Sequence, residues 1–296
     1  MRFTGVKCYA ERRPLTMPEL PEVETVRRDL RELRGETFSS CRVNLPRIVT
    51  TPGPRQFCRV LKGRTIRDVK RRGKYIIFSL DAGWEFIVHL GMTGALLFHT
   101  PLDPAAKHTH AVFLFESGRE LRYVDPRQFG ELAVVPAGQY APLKSLARMG
   151  PEPLERSFTA GELAARLGTS GKVKAALMDQ ARIAGIGNIY SDEMLFRAGI
   201  NPLRPASSLR PAEVAALHKA MREVLRGAIA RRGTSVDNFM DARGRPGRYQ
   251  FHHMVYGKEG EPCRVCDAPI RRVKVSGRSS YYCPKCQPCR EEGHVR

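Results

Sequence analysis

The sequence contains no run of about 18 apolar residues, so no segment of it is expected to cross a bilayer as a helix. Its opening stretch, MRFTGVKCYAERRPLT, is basic and lacks the apolar core of a secretion signal. Acidic residues are scarce: 30 Asp and Glu stand against 50 Lys and Arg, for a net charge of +20 and a pI of about 10.1. That imbalance argues against a small neutral substrate and for a polyanion, most simply nucleic acid, although a ribosomal or membrane-surface protein would share it. The excess is spread along the chain rather than gathered in a tail, so a binding surface shared among modules is expected. No repeat marks an oligomerisation segment, and a monomer is expected. Eight cysteines are present, but no disulfide framework: four fall in two CxxC pairs, Cys289 follows them closely, and Cys8, Cys41 and Cys58 are scattered. In a reducing interior that pattern points to a metal site. Apolar residues, by contrast, are ample at 42% of 296, enough for two domains and a small third module.

The N-terminal part is organised around Met17-Pro18-Glu19-Leu20-Pro21-Glu22. Translation from Met17 and removal of that methionine would leave Pro18 as a terminal secondary amine, with a pKa near ~7.7–8.0 and much of it nucleophilic at neutral pH. Such an amine attacks a sugar aldehyde carbon and forms an imine. Glu19 beside it and Glu22 one turn on can move protons at the same sugar. A purely structural alternative is a proline-rich helix entry with acids at the positive end of the dipole. The chemical reading treats residues 1–16 as an extension absent from the mature protein, because with them attached the Pro18 nitrogen is a tertiary amide. Val23, Val26, Leu30 and Leu33 follow at helical spacing, with Arg27, Arg28 and Arg31 on the other face and Gly35 at the stop.

Residues 38–135 read mostly as strands: YIIFSL (75–80), WEFIVHL (84–90), AVFLF (111–115), ELRYV (120–124) and ELAVV (131–135), joined by tight turns. They predict an antiparallel sandwich. KGRTIRDVKRRGKY (62–75) is either a solvated edge strand or a phosphate track that delivers Lys74. Two loops, His89-Leu90-Gly91-Met92-Thr93-Gly94 and Asp125-Pro126-Arg127-Gln128-Phe129-Gly130, offer Met92 and Phe129 as wedges between bases and Arg127 as a partner for an orphaned base. Packed loop residues are the alternative. His108 and His110 lack a third metal ligand, and a phosphate contact by His108 is preferred.

Gly150-Pro151-Glu152-Pro153 reads as a linker, followed by helices near 160–167, 172–180, 190–198 and 211–232. Between the second and third lies Ala184-Gly185-Ile186-Gly187-Asn188, whose glycines let the backbone approach a phosphate at a helix start. Asn188 either caps that helix or binds the phosphate. A third glycine is missing, so this is not a dinucleotide fingerprint. Residues 233–262 are glycine-rich, basic and expected to be mobile. Cys263-x2-Cys266-x16-Cys283-x2-Cys286 is a strong signal for one structural zinc ion, whose binding would fold a hairpin too small to fold alone. A swap of Cys289 into the set stays open. Arg278, beside Gly277, is placed at the hairpin tip.

Together PELPEVE, RRGKY, HLGMTG, DPRQFG, GIGNIY, YGKEGEPC and the four-cysteine finger resemble the formamidopyrimidine-DNA glycosylases, bacterial enzymes that remove oxidised purines from DNA. The resemblance runs from Met17 to about Gln287. It implies an α+β protein: an N-terminal antiparallel β-sandwich with flanking helices (17–147), a helix-two-turns-helix domain (148–240), and a lesion-loop segment with a zinc finger (241–296). It implies that Pro18 attacks C1′, that Glu19 assists protonation, and that Lys74 and Arg278 contact phosphate near the chemistry. Glu22, His108, Arg127, Asn188, Met92 and Phe129 are expected at the DNA, the last two with Arg127 filling the void left by a flipped base. Just before Lys174, where relatives often carry a basic contact, this chain reads Gly168-Thr169-Ser170-Gly171; Lys172 and Arg166 are the nearest substitutes. The resemblance implies base excision with strand cleavage by β,δ-elimination, damaged double-stranded DNA as partner, no membrane, and a bacterial cytoplasmic, nucleoid-associated setting. An oxidised-pyrimidine glycosylase of the endonuclease VIII type and a non-catalytic zinc-finger DNA binder remain the alternatives.

Overall fold

The structure is a computed structural model that describes residues 17–104, 106–168, 171–236 and 239–289. The expected extension 1–16, with Cys8, lies outside the described residues, as do Thr169 and Ser170. Helix α1 (Leu20–Leu30) leads into β1 (Phe38–Val43), β2 (Val49–Thr51), α2 (Pro54–Leu61) and strands β3 (Ile66–Arg72), β4 (Tyr75–Leu80), β5 (Trp84–His89), β6 (Ala95–His99), β7 (Thr109–Phe115), β8 (Glu120–Val124) and β9 (Glu131–Pro136). A short α3 (Lys144–Ala147) precedes α4 (Ala160–Leu167), α5 (Val173–Met178), α6 (Asn188–Arg197) and α7 (Pro211–Ala230), and the hairpin β10 (Arg271–Val275) and β11 (Arg278–Tyr282) closes the described chain.

The nine N-terminal strands form two sheets, ordered β1-β7-β8-β6 and β2-β9-β5-β4-β3. Side chains alternate across a strand, so one face of each sheet is available for the core. Phe38, Phe57, Phe78, Phe86 and Phe113 meet there, with neighbouring ring centroids 5.0–6.3 Å apart. The opposite face of β4, β5 and β9 is also covered: Tyr75, Ile77, Ile87, Ala133 and Val135 pack with Leu143 and Leu146 of the α3 segment. Cover on both faces explains why YIIFSL and ELAVV read as continuous apolar runs. One pairing departs from the expected antiparallel pattern. The three-residue β2 runs parallel to β9, with Val49 opposite Leu132 and Thr51 opposite Ala133. The chain enters β2 from a crossover rather than a hairpin, and α2 packs on it; neither had a clear periodic signal.

The second lobe packs α4 to α7 around Tyr190, Leu195, Leu217 and Met221. Helix α1 serves both lobes: Leu20 lies in the helical core, whereas Val23, Val26 and Leu30 lie in the sandwich core. The segment after α7, expected to be mobile, is docked from Phe239 onward. The edge strand β6 donates Phe98 N to Ala242 O at 2.9 Å, and Ala242 is fully buried. Asp241 accepts Arg243 N and Arg245 N, each at 2.9 Å, and pairs with Arg232, which also reaches Asp29 of α1 at 2.5 Å. The segment's basic residues find carboxylates on the neighbouring lobe, and it covers an otherwise unpaired strand edge.

Candidate active site and nucleic-acid interface

The start of α1 is driven into the junction of the two lobes. Pro18, Glu19 and Glu22 are all buried. Leu20 N donates to Gly185 O at 3.0 Å, so the two-turn segment between α5 and α6 holds this end directly. The Glu19 carboxylate accepts Gly187 N and Ile189 N at 2.8 Å each and Tyr190 N at 3.4 Å. A carboxylate is thus seated on the N-terminus of α6, where free N–H groups and the helix dipole favour negative charge. Burial still pushes the Glu19 carboxyl up, against the pull of the Lys74 ammonium and these three donors. Gly187 is required for the seat: a Cβ there would lie 2.4 Å from Glu19 Cδ. Glu22 accepts Glu19 N at 2.9 Å, Tyr190 OH at 2.5 Å and Thr234 N at 2.6 Å. Burial, and then the charge of Glu19, push its carboxyl up to about 7.

Lys74 reaches the same place from the turn between β3 and β4. Gly73 has φ of +54°, and its N–H donates to the buried Glu152 of the linker at 2.6 Å. Arg71 pairs with Glu152 at 2.7 Å, and Arg72 donates to Met149 O at 2.8 Å, so the linker clamps the turn that presents Lys74. Burial pushes the Lys74 ammonium down, Glu19 and Glu22 pull it back up, and Arg278 adds to the downward push. Arg278 comes from the tip of the β10–β11 hairpin, where Ser276 and Gly277 turn with φ of +49° and +77°. Four chain regions therefore converge on the Pro18 end. His89, at the end of β5, is pushed down to about 4 by burial and by Lys74, so it is neutral.

The two loops expected to carry wedges are built as one unit around Asp125, which is fully buried. It accepts Thr93 Oγ1 at 2.5 Å, Tyr123 OH at 3.1 Å, Gly130 N at 2.9 Å and Arg127 N at 3.3 Å. Gly91 faces Phe129 so closely that a Cβ would sit 2.6 Å from its carbonyl carbon. Phe129 stands 55% exposed on this rigid base, with the Arg127 guanidinium 4.9 Å from its ring centroid. Met92 is partly buried in the partner loop. A large exposed aromatic ring on fixed backbone suits insertion into a base stack better than it suits core packing.

His108 and His110 do not form a metal pair: His110 is buried with Nε2 2.8 Å from Asp125 O, which leaves His108 on the rim. Asn188 is the first residue of α6, and Gly187 is the N-cap, so Asn188 does not cap the helix. Its side chain faces the Tyr256 hydroxyl, and both groups are buried at the start of α6. Arg166 is paired with Glu162 at 2.8 Å, whereas Lys172 is exposed.

The finger docks on α6. The Sγ atoms of Cys263, Cys266, Cys283 and Cys286 all lie within 4.8 Å of one another, and three of the pairs are 3.4–3.9 Å apart. A tetrahedral four-thiolate zinc site with bonds of about 2.3 Å has edges of about 3.8 Å, so the residues fit one structural zinc ion. Cys289 is exposed and outside the cluster. Lys174, fully buried on α5, donates to Asp192 of α6 at 2.8 Å and to Ser279 O of β11 at 3.0 Å. Asp192 also accepts Ser280 Oγ at 2.7 Å and Tyr281 N at 2.9 Å. The hairpin that carries Arg278 is thus bolted to the helix that seats Glu19.

Pro18, Glu19, Glu22 and Asn188 lie at the lobe junction, with Lys74 near enough to Glu19 and Glu22, and the exposed Arg278 near enough to Lys74, for their charges to interact, while Arg127 and Phe129 stack in a separate cluster beside the Met92 loop. Sequence reasoning missed Tyr190, Thr234, Glu152, Asp125, Lys174 and Tyr256. Tyr190, Thr234, Glu152 and Lys174 act through partners 79 or more residues away, which no local pattern shows, whereas Asp125 opens DPRQFG, Tyr190 ends GIGNIY and Tyr256 opens YGKEGEPC.

Comparison with known proteins matches three family descriptions in order: the formamidopyrimidine-DNA glycosylase N-terminal domain over residues 17–132, its H2TH domain over 149–240, and a zinc finger found in FPG and IleRS over 260–288. A formamidopyrimidine-DNA glycosylase of Herpetosiphon aurantiacus is 47% identical over 274 residues, covering 92% of this chain and all of that protein. One from Pelotomaculum thermopropionicum is 45% identical, covering 92% and 99%. A Lactococcus lactis FPG variant solved with Fapy-dG-containing DNA superposes with a TM-score of 0.86 at 38% identity, covering 92% and 100%; the Thermus thermophilus FPG protein gives 0.82 at 42%, covering 91% and 98%. The chain belongs to the formamidopyrimidine-DNA glycosylase family.

Proposed function

We infer that the protein is a base-excision repair enzyme, a DNA glycosylase with AP lyase activity that removes oxidised purines such as 8-oxoguanine and formamidopyrimidines. The observation that carries this is the burial of the Pro18-Glu19 end at the lobe junction, with a carboxylate seated on the α6 N-terminus and Lys74 and Arg278 facing it. With residues 1–16 and Met17 removed, the Pro18 amine attacks C1′ of a nucleotide taken out of the stack. Glu19, held protonatable by burial, delivers a proton as the base leaves. The C1′–O4′ bond then opens, O4′ takes a proton, and the protonated imine left at C1′ acidifies the C2′ protons; loss of one breaks the 3′ C–O bond, and a further elimination breaks the 5′ bond. Lys74 and Arg278 hold the flanking phosphates and stabilise the leaving oxygens, with His108 and Asn188 gripping the backbone. Glu22 lies behind Glu19, and Met92, Arg127 and Phe129 fill the vacated stack.

The domain division we propose gives residues 17–147 the nucleophile and wedges, 148–240 the helical seat, and 241–296 the docked loop and finger. Damaged double-stranded DNA is the partner, bound by a monomer in the bacterial cytoplasm at the nucleoid. Among the described residues no helix is long and apolar enough to cross a membrane. One related structure pairs Lactococcus lactis FPG with DNA containing an oxidised pyrimidine, so substrate class needs a direct test. Protein beginning at Pro18 is expected to release 8-oxoguanine opposite cytosine faster than thymine glycol. Faster thymine glycol release would place it with the endonuclease VIII type.

A further inference from the structure

Behind Glu22 runs a buried hydrogen-bond chain that the chemistry above does not use. Tyr190 OH donates to Glu22 at 2.5 Å and lies 3.1 Å from Thr234 Oγ1, which lies 3.2 Å from His253 Nε2. Tyr190 is fully buried, and Thr234 and His253 are 4% and 3% exposed. The chain passes from α1 through α6 and the segment after α7 to the stretch that precedes the finger. A buried imidazole ending such a chain is either a space filler or an acceptor with a purpose.

Proton counting separates the two. When Glu22 is ionised, Tyr190 donates to it and the Thr234 hydroxyl can donate to the Tyr190 oxygen, so every donor is satisfied without His253. When Glu22 is protonated, its proton goes to the Tyr190 oxygen, Tyr190 donates to Thr234, and the Thr234 proton then needs an acceptor beyond the chain. Neutral His253 Nε2 is that acceptor. We propose that His253 is a positioning residue for the reaction: by accepting the last proton of the Glu22–Tyr190–Thr234 chain it lets Glu22 remain protonated beside Glu19. The proposal rests on the glycosylase reading, in which Glu22 stands directly behind Glu19.

The surroundings agree. His253 is packed edge-on against Tyr249 and Tyr256, each 5.7 Å between ring centroids. Burial and the charges of Lys258, Arg264 and His252 push it down to about 4, so it is neutral and able to accept. Glu22 is faced by Glu19 on its own segment, Tyr190 on α6, the Thr234 backbone, and Lys74 from the β3–β4 turn. Removing His253 leaves these groups in place and penalises only the protonated form of Glu22.

The test uses full protein beginning at Pro18, labelled with 13C at glutamate Cδ, with the Glu22 signal assigned by Glu22→Gln. His253→Leu, which cannot accept, should lower the Glu22 titration midpoint by about one pH unit, and the alkaline limb of base excision should move with it. His253→Gln, whose amide oxygen can accept, should restore both. Thr234→Val should match His253→Leu, and the double variant should add nothing further. An unchanged midpoint in both single variants overturns the proposal; if His253→Leu fails to fold, Thr234→Val decides it alone. A midpoint that moves while the excision profile does not overturns the link to the reaction. Either failure leaves the glycosylase reading standing, since that reading falls only if the unsubstituted protein forms no imine.

Discussion

Glu19 is defined less by its own chemistry than by three backbone donors and one missing side chain. Gly187 supplies both a donor and the space, so Gly187→Ala should displace the carboxylate by an ångström or more. Base excision should fall on the order of 10²-fold while DNA binding changes little, as single-turnover kinetics and equilibrium binding would show. The neighbouring His89 gives a pH signature of stability. Its folded value of about 4 lies below the unfolded value of about 6.5, so as pH falls from about 6.5 to about 4 the unfolded chain takes up a proton that the folded chain refuses. Its contribution is therefore complete above pH 6.5 and is lost on acidification. His89→Gln should flatten the decline of Tm across that window, and an equally steep decline would show that His89 does not stay neutral in the folded chain.

At the scale of elements, α6 is the hub: its N-terminus seats Glu19, Tyr190 holds Glu22, and Asp192 anchors the finger hairpin through Lys174. Lys174→Met removes one partner of a buried ion pair and should cost about 3–5 kcal/mol in denaturant unfolding. Lys174→Met with Asp192→Asn should recover much of this, and zinc content should stay at one per chain in both. The elements themselves were largely legible. YIIFSL, ELRYV and the helix at 160–167 appear with the expected bounds because their apolar periodicity is set by faces that stay buried. Helix α2 and strands β2 and β6 were not legible, being short and placed by crossovers. The four cysteines were legible because their spacing is itself a motif. Thr234, Glu152 and Asp125 were not, since each earns its place from a partner 30 to more than 200 residues away in sequence. The contacts of the segment after Phe239 were not legible for the same reason: its glycines and arginines carry no local sign of Asp29 or of the β6 edge.

At the scale of the whole molecule, the +20 charge and the two-lobed junction predict binding governed by phosphates. If 6–10 phosphates are neutralised, affinity should drop roughly 10³–10⁵-fold between 50 and 200 mM salt, and Arg278→Ala should reduce the slope of log K against log salt by about one. A slope unchanged by Arg278→Ala would remove the hairpin tip from the DNA interface. The most direct test of the central claim is borohydride trapping on an 8-oxoguanine:cytosine duplex, with the N-terminal residue of the trapped species read by mass spectrometry. Protein beginning at Pro18 should give a covalent adduct on the Pro18 nitrogen, and protein beginning at Met1 should give none. No adduct from protein shown to begin at Pro18 would contradict the account and leave a zinc-stapled DNA binder without a nucleophile.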